Sequence, residues 1–185
     1  MNKSALLVMD VQNGIVRNYA GDEAVLSPLQ RALAKARERE LAVIFVRVAF
    51  RPGYLDVSSN NRSFSALKGR GGMLESDEAT QIWAGVEPHP GEVVVVKRRV
   101  SAFAGSGLDL VLRSMDIDHL ILSGIATSGV VLSTLRQAAD MDFRLTVLSD
   151  ACLDADPEVH RVLMEKVFPR QAAVMTTAEW GGLFP

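Results

Sequence analysis

Short apolar runs recur along the chain, separated by stretches in which apolar and polar positions follow helical spacing. The runs are Ala5–Met9, Leu41–Val48, Val93–Val96, His119–Leu122, Arg144–Leu148 and Ala172–Met175. Most are rich in Val, Ile and Leu, as strands buried on both faces should be. Between them, Leu29, Ala32, Leu33 and Ala36 follow the i, i+3, i+4, i+7 rule, and Leu108, Val111, Leu112 and Met115 repeat it. Val131, Leu135 and Ala138 mark a third helix. A fourth should start with Asp156 as N-cap and Pro157 at the first helical position, then bury Val159, Val162 and Leu163. Strands alternating with helices imply right-handed crossovers and a parallel sheet covered on both sides. The expected fold is α/β: a three-layer α/β/α domain with a mainly parallel sheet of about six strands. Ligands of such sheets bind beyond the carboxyl ends of the strands, so residues at strand ends become the candidates.

One segment breaks the rhythm. From Ala49 to about Glu92 no strand pattern is evident, and the stretch holds Gly53, Asn60-Asn61 and Gly69-Arg70-Gly71-Gly72. A long irregular excursion inside a compact domain is commonly a functional loop. The alternative is a surface loop with a short helix near Ser76 to Trp83. No internal repeat or linker appears, so residues 1–185 are expected to form a single domain.

Composition narrows the function classes. The 185 residues are 48% hydrophobic and 23% charged, which argues against disorder. Twenty Lys and Arg against 22 Asp and Glu leave a formal net charge of −2, without the basic footprint of a nucleic-acid binder. A single cysteine makes neither an intramolecular disulfide nor a cysteine-rich zinc site. Ser4 to Met9 is too short for a signal-peptide core. The longest uncharged run, Leu120–Leu135, is interrupted by Gly and Ser and falls short of a membrane span. A cytoplasmic protein without nucleic-acid or membrane partners is expected.

Four positions could carry chemistry. Asp10 follows the first strand, where partial desolvation would raise its pKa and suit it to proton transfer, although it could equally cap the next turn. Lys97 closes the run Val93–Val96 and would either snorkel to solvent or present a charge to a site. Arg98 and Arg99 follow it, but alternation keeps the three from facing one ligand. Gly124–Val131 joins the fourth strand to the third helix, where free backbone N–H groups suit an anion; an ordinary connection capped by Ser128 fits equally well. Cys152 sits beside Asp150, Asp154 and Asp156, which disfavour a thiolate, so it reads as a buried structural cysteine. His89, His119 and His160 lack ligand spacing, and no metal site follows from them.

Taken together, Leu7-Val8-Met9-Asp10-Val11-Gln12, Val96-Lys97-Arg98-Arg99-Val100-Ser101-Ala102-Phe103, Leu122-Ser123-Gly124-Ile125-Ala126-Thr127 and Ser149-Asp150-Ala151-Cys152 resemble the isochorismatase-like superfamily over most of the chain. That superfamily includes cysteine hydrolases such as nicotinamidases and carbamoylsarcosine amidases. The resemblance implies an Asp, Lys and Cys active site. Asp10 and Lys97 match the first two, whereas the nucleophile position, six residues after the glycine of Gly-Ile-Ala-Thr, is Val130. Cys152 matches a different cysteine of the family, one that is not the nucleophile. Isochorismatases also lack the nucleophile: they carry glycine there and hydrolyse a vinyl ether with the Asp as proton donor. Here Gly129 stands one position early. The metal-binding Asp and His residues of nicotinamidases are missing from the excursion after Ala49, and neither metal nor cofactor is implied.

Two functions follow as expectations. One is a hydrolase acting on a small, carboxylate-bearing molecule by non-covalent acid/base chemistry at Asp10, tuned by Lys97, with N–H groups of Gly129 and Val130 holding an anion. The other is an inactive binding or regulatory relative that keeps the pocket. A Ser128 nucleophile lacks an evident activating histidine. Gln12, Phe103 and Ser128, in or beside the matched motifs, are expected in the substrate pocket, and Arg47, Arg51, Arg62 and Lys68 hint at a carboxylate ligand. The resemblance also implies a cis Ile125–Ala126 peptide and a homo-oligomer. Trp83, Phe103, Trp180, Leu183 and Phe184 could supply interface anchors.

Overall fold

The computed structural model describes residues 3–19 and 23–183. Six strands form one sheet: β1 Lys3–Met9, β2 Ala42–Val48, β3 Val93–Lys97, β4 Ile117–Ile125, β5 Arg144–Leu153 and β6 Ala173–Met175. Their spatial order is β3-β2-β1-β4-β5-β6, and every neighbouring pair is parallel. The helices are α1 Asn13–Tyr19, α2 Ser27–Glu38, α3 Arg62–Arg70, α4 Leu108–Ser114, α5 Leu132–Asp140, α6 Pro157–Val162 and α7 Thr177–Gly181. Among the described residues, no helix is long and apolar enough to cross a membrane.

Alternation along the strands divides the core in two. Ala5, Leu7 and Met9 of β1 face one layer, with Leu108 and Leu112 of α4, Leu135 and Ala138 of α5, and Phe168. Leu6 and Val8 face the other, with Val16 of α1, Leu29, Ala32, Leu33 and Ala36 of α2, and Trp180 of α7. Burial on both faces explains why β1 reads as an unbroken apolar run.

Several elements differ from their sequence pattern. The strand at Arg144 continues to Leu153, so Cys152 lies within it rather than after it. Leu122 pairs with Val147, but Gly124 pairs with Cys152, and this irregularity accommodates the polar Ser149-Asp150 step. The fourth patterned helix starts as expected, with the Asp156 carboxylate accepting from the Glu158 and Val159 N–H groups. Val159 is nevertheless exposed, because the chain passes into a wider turn over Leu163–Val167 and hands burial to Leu163, Met164 and Phe168. Phe103 and Trp180 belong to the core, and Trp83 packs against it. Only Leu183 of the described apolar anchors is well exposed; Phe184 lies outside the described residues.

The excursion contains a helix, but it is α3 at Arg62–Arg70 rather than one near Ser76–Trp83, where there are only short turns at Glu78–Thr80 and Ala84–Val86. Asn61 caps α3 by accepting from the Phe64 N–H. Phe64 packs edge-on against Phe50 with ring centroids 5.2 Å apart, so the excursion has a small core of its own.

The strand order reverses direction between β1 and β4, and the loops leaving these two strands diverge at their carboxyl ends. Gly124 permits that junction. Its φ is +132°, and a Cβ there would lie 2.0 Å from the Met9 carbonyl oxygen, a backbone atom that cannot move aside cheaply. Gly124→Ala should therefore destabilise the fold by about 3 kcal/mol or more, read as a shift of the urea midpoint; a change under about 1 kcal/mol would contradict the close approach.

Candidate active site

Asp10 is the first residue beyond β1 and takes a left-handed backbone, φ 56°, which Asp tolerates better than most residues. Its N–H donates to Val46 O at 2.8 Å, anchoring the turn to β2. Lys97 ends β3 two strands away, and its Nζ lies 2.9 Å from Asp10 Oδ2. Lys97 is 1% exposed and Asp10 5% exposed, so Lys97 does not snorkel. Its ammonium also donates to Arg99 O at 2.9 Å and Val100 O at 3.0 Å. Those three acceptors match the three protons of an ammonium group, which satisfies the cation and fixes its direction.

The carboxylate is treated differently. Asp10 Oδ1 is buried and has no hydrogen-bond partner among the described residues. Burial pushes the Asp10 carboxyl above its usual range, and the charge and hydrogen bond of Lys97, with a smaller contribution from the nearby Val48 main chain, offset this only in part. The result is a carboxyl that takes up a proton more readily than an exposed one, beside the Lys97 ammonium.

Both residues line a cavity of about 360 Å³ at the sheet's carboxyl edge. The turn after β4 contributes Ile125, Ala126, Gly129 and Val130, and the Ile125–Ala126 peptide is cis. Val130 is 2% exposed, and its branched side chain stands in the wall. The Gly129 N–H, expected to face an anion, donates instead to Ala126 O at 3.1 Å, because the chain closes a wide turn over Thr127–Val131. The excursion supplies the opposite wall: Phe64, Leu67 and Arg70 of α3, followed by Met73. Ile15, Asn18 and Tyr19 of α1 complete the lining with Val48 and Val100.

Three expected pocket residues lie elsewhere. Gln12 is fully buried: its side-chain amide donates to Val48 O and Thr80 O, both at 2.9 Å, and its oxygen accepts from Val48 N–H at 2.8 Å. It therefore ties the β1 turn to β2 and to the excursion. Phe103 packs in the core beside Phe143, ring centroids 5.9 Å apart. Ser128 is exposed; its N–H donates to Asp154 Oδ2 at 2.6 Å, and its side chain does not cap the turn. The histidine in this region, His160, meets Thr127 Oγ1 at 2.8 Å.

Besides Lys97, the cation lining the cavity is Arg70, not Arg47, Arg51, Arg62 or Lys68. Arg47 Nη1 instead donates to Thr80 O at 3.2 Å, outside the cavity lining. The Arg70 side chain makes no ion pair or hydrogen bond among the described residues. Its only sequence signal was its place in the glycine-rich stretch of the excursion. Cys152 is buried, outside the lining, with its Sγ 3.9 Å from Leu122 O, and burial raises its thiol pKa to about 12. Among the described residues, no group of three His, Cys, Asp or Glu side chains could hold a metal ion.

A cavity beside a buried acid–cation pair at the carboxyl edge of a parallel sheet is the place where α/β proteins bind small molecules. The isochorismatase-domain profile matches residues 4–179, and the chain belongs to the isochorismatase family. It is 32% identical over 182 residues to the uncharacterized isochorismatase family protein YwoC of Bacillus subtilis (strain 168), covering 96% of this chain and 92% of that one. It is 32% identical over 202 residues to the ureidoacrylate amidohydrolase RutB of Pseudomonas syringae pv. syringae (strain B728a), covering 97% and 79%. A solved isochorismatase family protein from Burkholderia thailandensis superposes with a TM-score of 0.85 at 28% identity, covering 97% of this chain and 94% of that one.

Two predictions follow from this geometry. Lys97→Met leaves the Asp10 carboxyl buried without its cation, which costs about 3–5 kcal/mol at neutral pH. The variant's Asp10 pKa in the fold then rises further above the unfolded value of about 3.9, so stability is fully present below that value. It is lost as pH rises through the raised value, and urea melts should show a larger deficit from wild type at pH 8 than at pH 5. A pH-independent deficit would disprove the coupling. Separately, a thiol reagent should label Cys152 no faster than the fold opens, and labelling in native buffer within minutes would show the thiol to be accessible.

Proposed function

We propose that this isochorismatase-family hydrolase acts on a small, carboxylate-bearing molecule by acid/base chemistry at Asp10, without a covalent enzyme intermediate. The observation that carries the reading is the divided carboxyl of Asp10: Oδ2 is held by Lys97 at 2.9 Å, while Oδ1, buried and unpartnered, belongs to a residue that lines the cavity. A carboxyl whose pKa is raised by burial holds a proton that it can transfer to a bound substrate. The carboxylate left behind is stabilised by the adjacent ammonium, so Lys97 lowers the energy of the charged state that forms. Water then adds to the protonated substrate, the scissile bond breaks, and the water's surplus proton returns to Asp10. Lys97 has its three protons engaged, so its part is electrostatic rather than proton donation.

Covalent chemistry has no support at the position that resemblance assigns to the nucleophile. Val130 has no lone pair, and Cys152 lies outside the cavity with its thiol protonated at neutral pH. Arg70, unpaired in the lining, favours an anionic substrate, and the apolar walls of Phe64, Leu67 and Ile125 favour a small hydrocarbon body. The filled nucleophile position also favours a second reading, a binding relative that keeps this pocket without turnover.

A screen of vinyl ethers and amides bearing a carboxylate tests both readings with wild type, Asp10→Asn and Val130→Cys. Wild type should turn over a member of the set, and Asp10→Asn should lower kcat by about 10²–10⁴-fold. The wild-type rate should fall as pH rises through the raised Asp10 pKa, because the acid form is the active one. Undiminished turnover by Asp10→Asn would refute the acid role. Tight binding with no turnover by any variant would establish the binding relative.

A further inference from the structure

A second cavity, of about 510 Å³, is lined by Arg51, Asp56, Arg98, Arg99 and Gly105. None of these residues lines the Asp10 cavity. The turn Arg98–Val100 separates the two: its main-chain carbonyls hold Lys97, while the side chains of Arg98 and Arg99 line the second cavity.

The charges here do not balance. Three guanidinium groups share the lining with one carboxylate, Asp56, which accepts from the Arg51 N–H at 2.9 Å and from the Arg51 guanidinium. Arg98 donates to Ala49 O at 2.6 Å and pairs with Glu75. Its Nε is 3.6 Å from Asp56 Oδ2, and this buried donor lacks a hydrogen-bond partner. With Arg51 assigned to Asp56 and Arg98 to Glu75, Arg99 remains uncompensated. Its Nη1 donates to two main-chain carbonyls, Asp56 O at 3.0 Å and Arg98 O at 2.6 Å. Arg99 has no carboxylate within ion-pair distance among the described residues, and its Nε and Nη2 have no acceptor there. Arg99 is half-buried, so solvent does not fully replace the missing anion. Gly105, at φ +72°, adds no side chain to the lining, and a Cβ there would lie 3.0 Å from Arg98 Cβ.

We propose that this cavity binds a small oxyanion, carboxylate or phosphate, between the guanidinium groups of Arg99 and Arg51. Planar guanidinium groups match such ligands with paired, charge-assisted hydrogen bonds. The anion neutralises Arg99, which has no carboxylate of its own among the described residues. Because Arg99 O and Val100 O hold Lys97, an occupant that fastens Arg99 also fastens the turn supporting the acid pair. The site does not depend on the hydrolase reading above.

Calorimetric titration of the wild-type protein with inorganic phosphate and, separately, with succinate would test it at constant ionic strength, with chloride as the control. At least one anion should bind saturably, and the arm that binds more tightly identifies the preferred oxyanion. Arg99→Gln should weaken that binding about ten- to a hundredfold. Arg51→Gln, at a mostly exposed side chain, should weaken it in the same direction without risk to the core. Arg70→Gln, in the other cavity, should leave it unchanged. No saturable binding beyond that of chloride overturns the proposal. So does binding that survives both Arg99→Gln and Arg51→Gln, or binding lost in Arg70→Gln instead.

Discussion

Bringing an aspartate and a lysine together out of water is costly unless each group finds compensation, and much of this structure around the site supplies it. Lys97 receives three oxygens, two from the turn that follows it and one from Asp10. Asp10 receives one cation and keeps one oxygen unpartnered. That imbalance is what a wholly structural ion pair would avoid, since an unpartnered buried oxygen lowers stability. The arrangement requires β1 and β3 to end at the same level with β2 between them, and it requires a left-handed Asp10 to turn its carboxyl toward β3.

The excursion between β2 and β3 makes this pair into a site. Without it the acid would stand at an open sheet edge, where water would weaken both its raised pKa and its attraction to Lys97. α3 and the residues after it close one wall, and they are held by local devices: the Asn61 cap, the Phe50–Phe64 contact and the main-chain tie from Trp83 N–H to Val11 O at 2.9 Å. Gln12 belongs to the same fastening. A buried amide that joins three main-chain groups, two of Val48 and one of Thr80, fixes the spacing of those two segments more tightly than apolar packing does.

The turn after β4 sets which side chain reaches the cavity wall. Gly124 allows close approach to β1, and the wide turn over Thr127–Val131 brings Val130 to the cavity wall. A valine there contributes apolar surface and no nucleophile. The cysteine that the chain does possess is held in the core, where desolvation keeps its thiol protonated.

Much of the architecture is legible in the residues alone, because strands buried on both faces must be apolar at consecutive positions and helices on their flanks must be apolar at helical spacing. All six runs became strands, and the helices at Leu29, Leu108 and Leu135 lie where their periodicity puts them. Asp10 and Lys97 stand out by their place at strand ends and by their motifs. Side-chain direction in irregular segments leaves no comparable trace. Gln12, Phe103 and Ser128 occupy or adjoin the same motifs, yet one ties strands, one fills the core and one faces solvent. Arg70 and Arg99 look like ordinary surface cations in sequence. Only the fold, by pairing some arginines with carboxylates and leaving these two without any among the described residues, decided which positive charges are available, because compensation depends on neighbours brought close by tertiary contact.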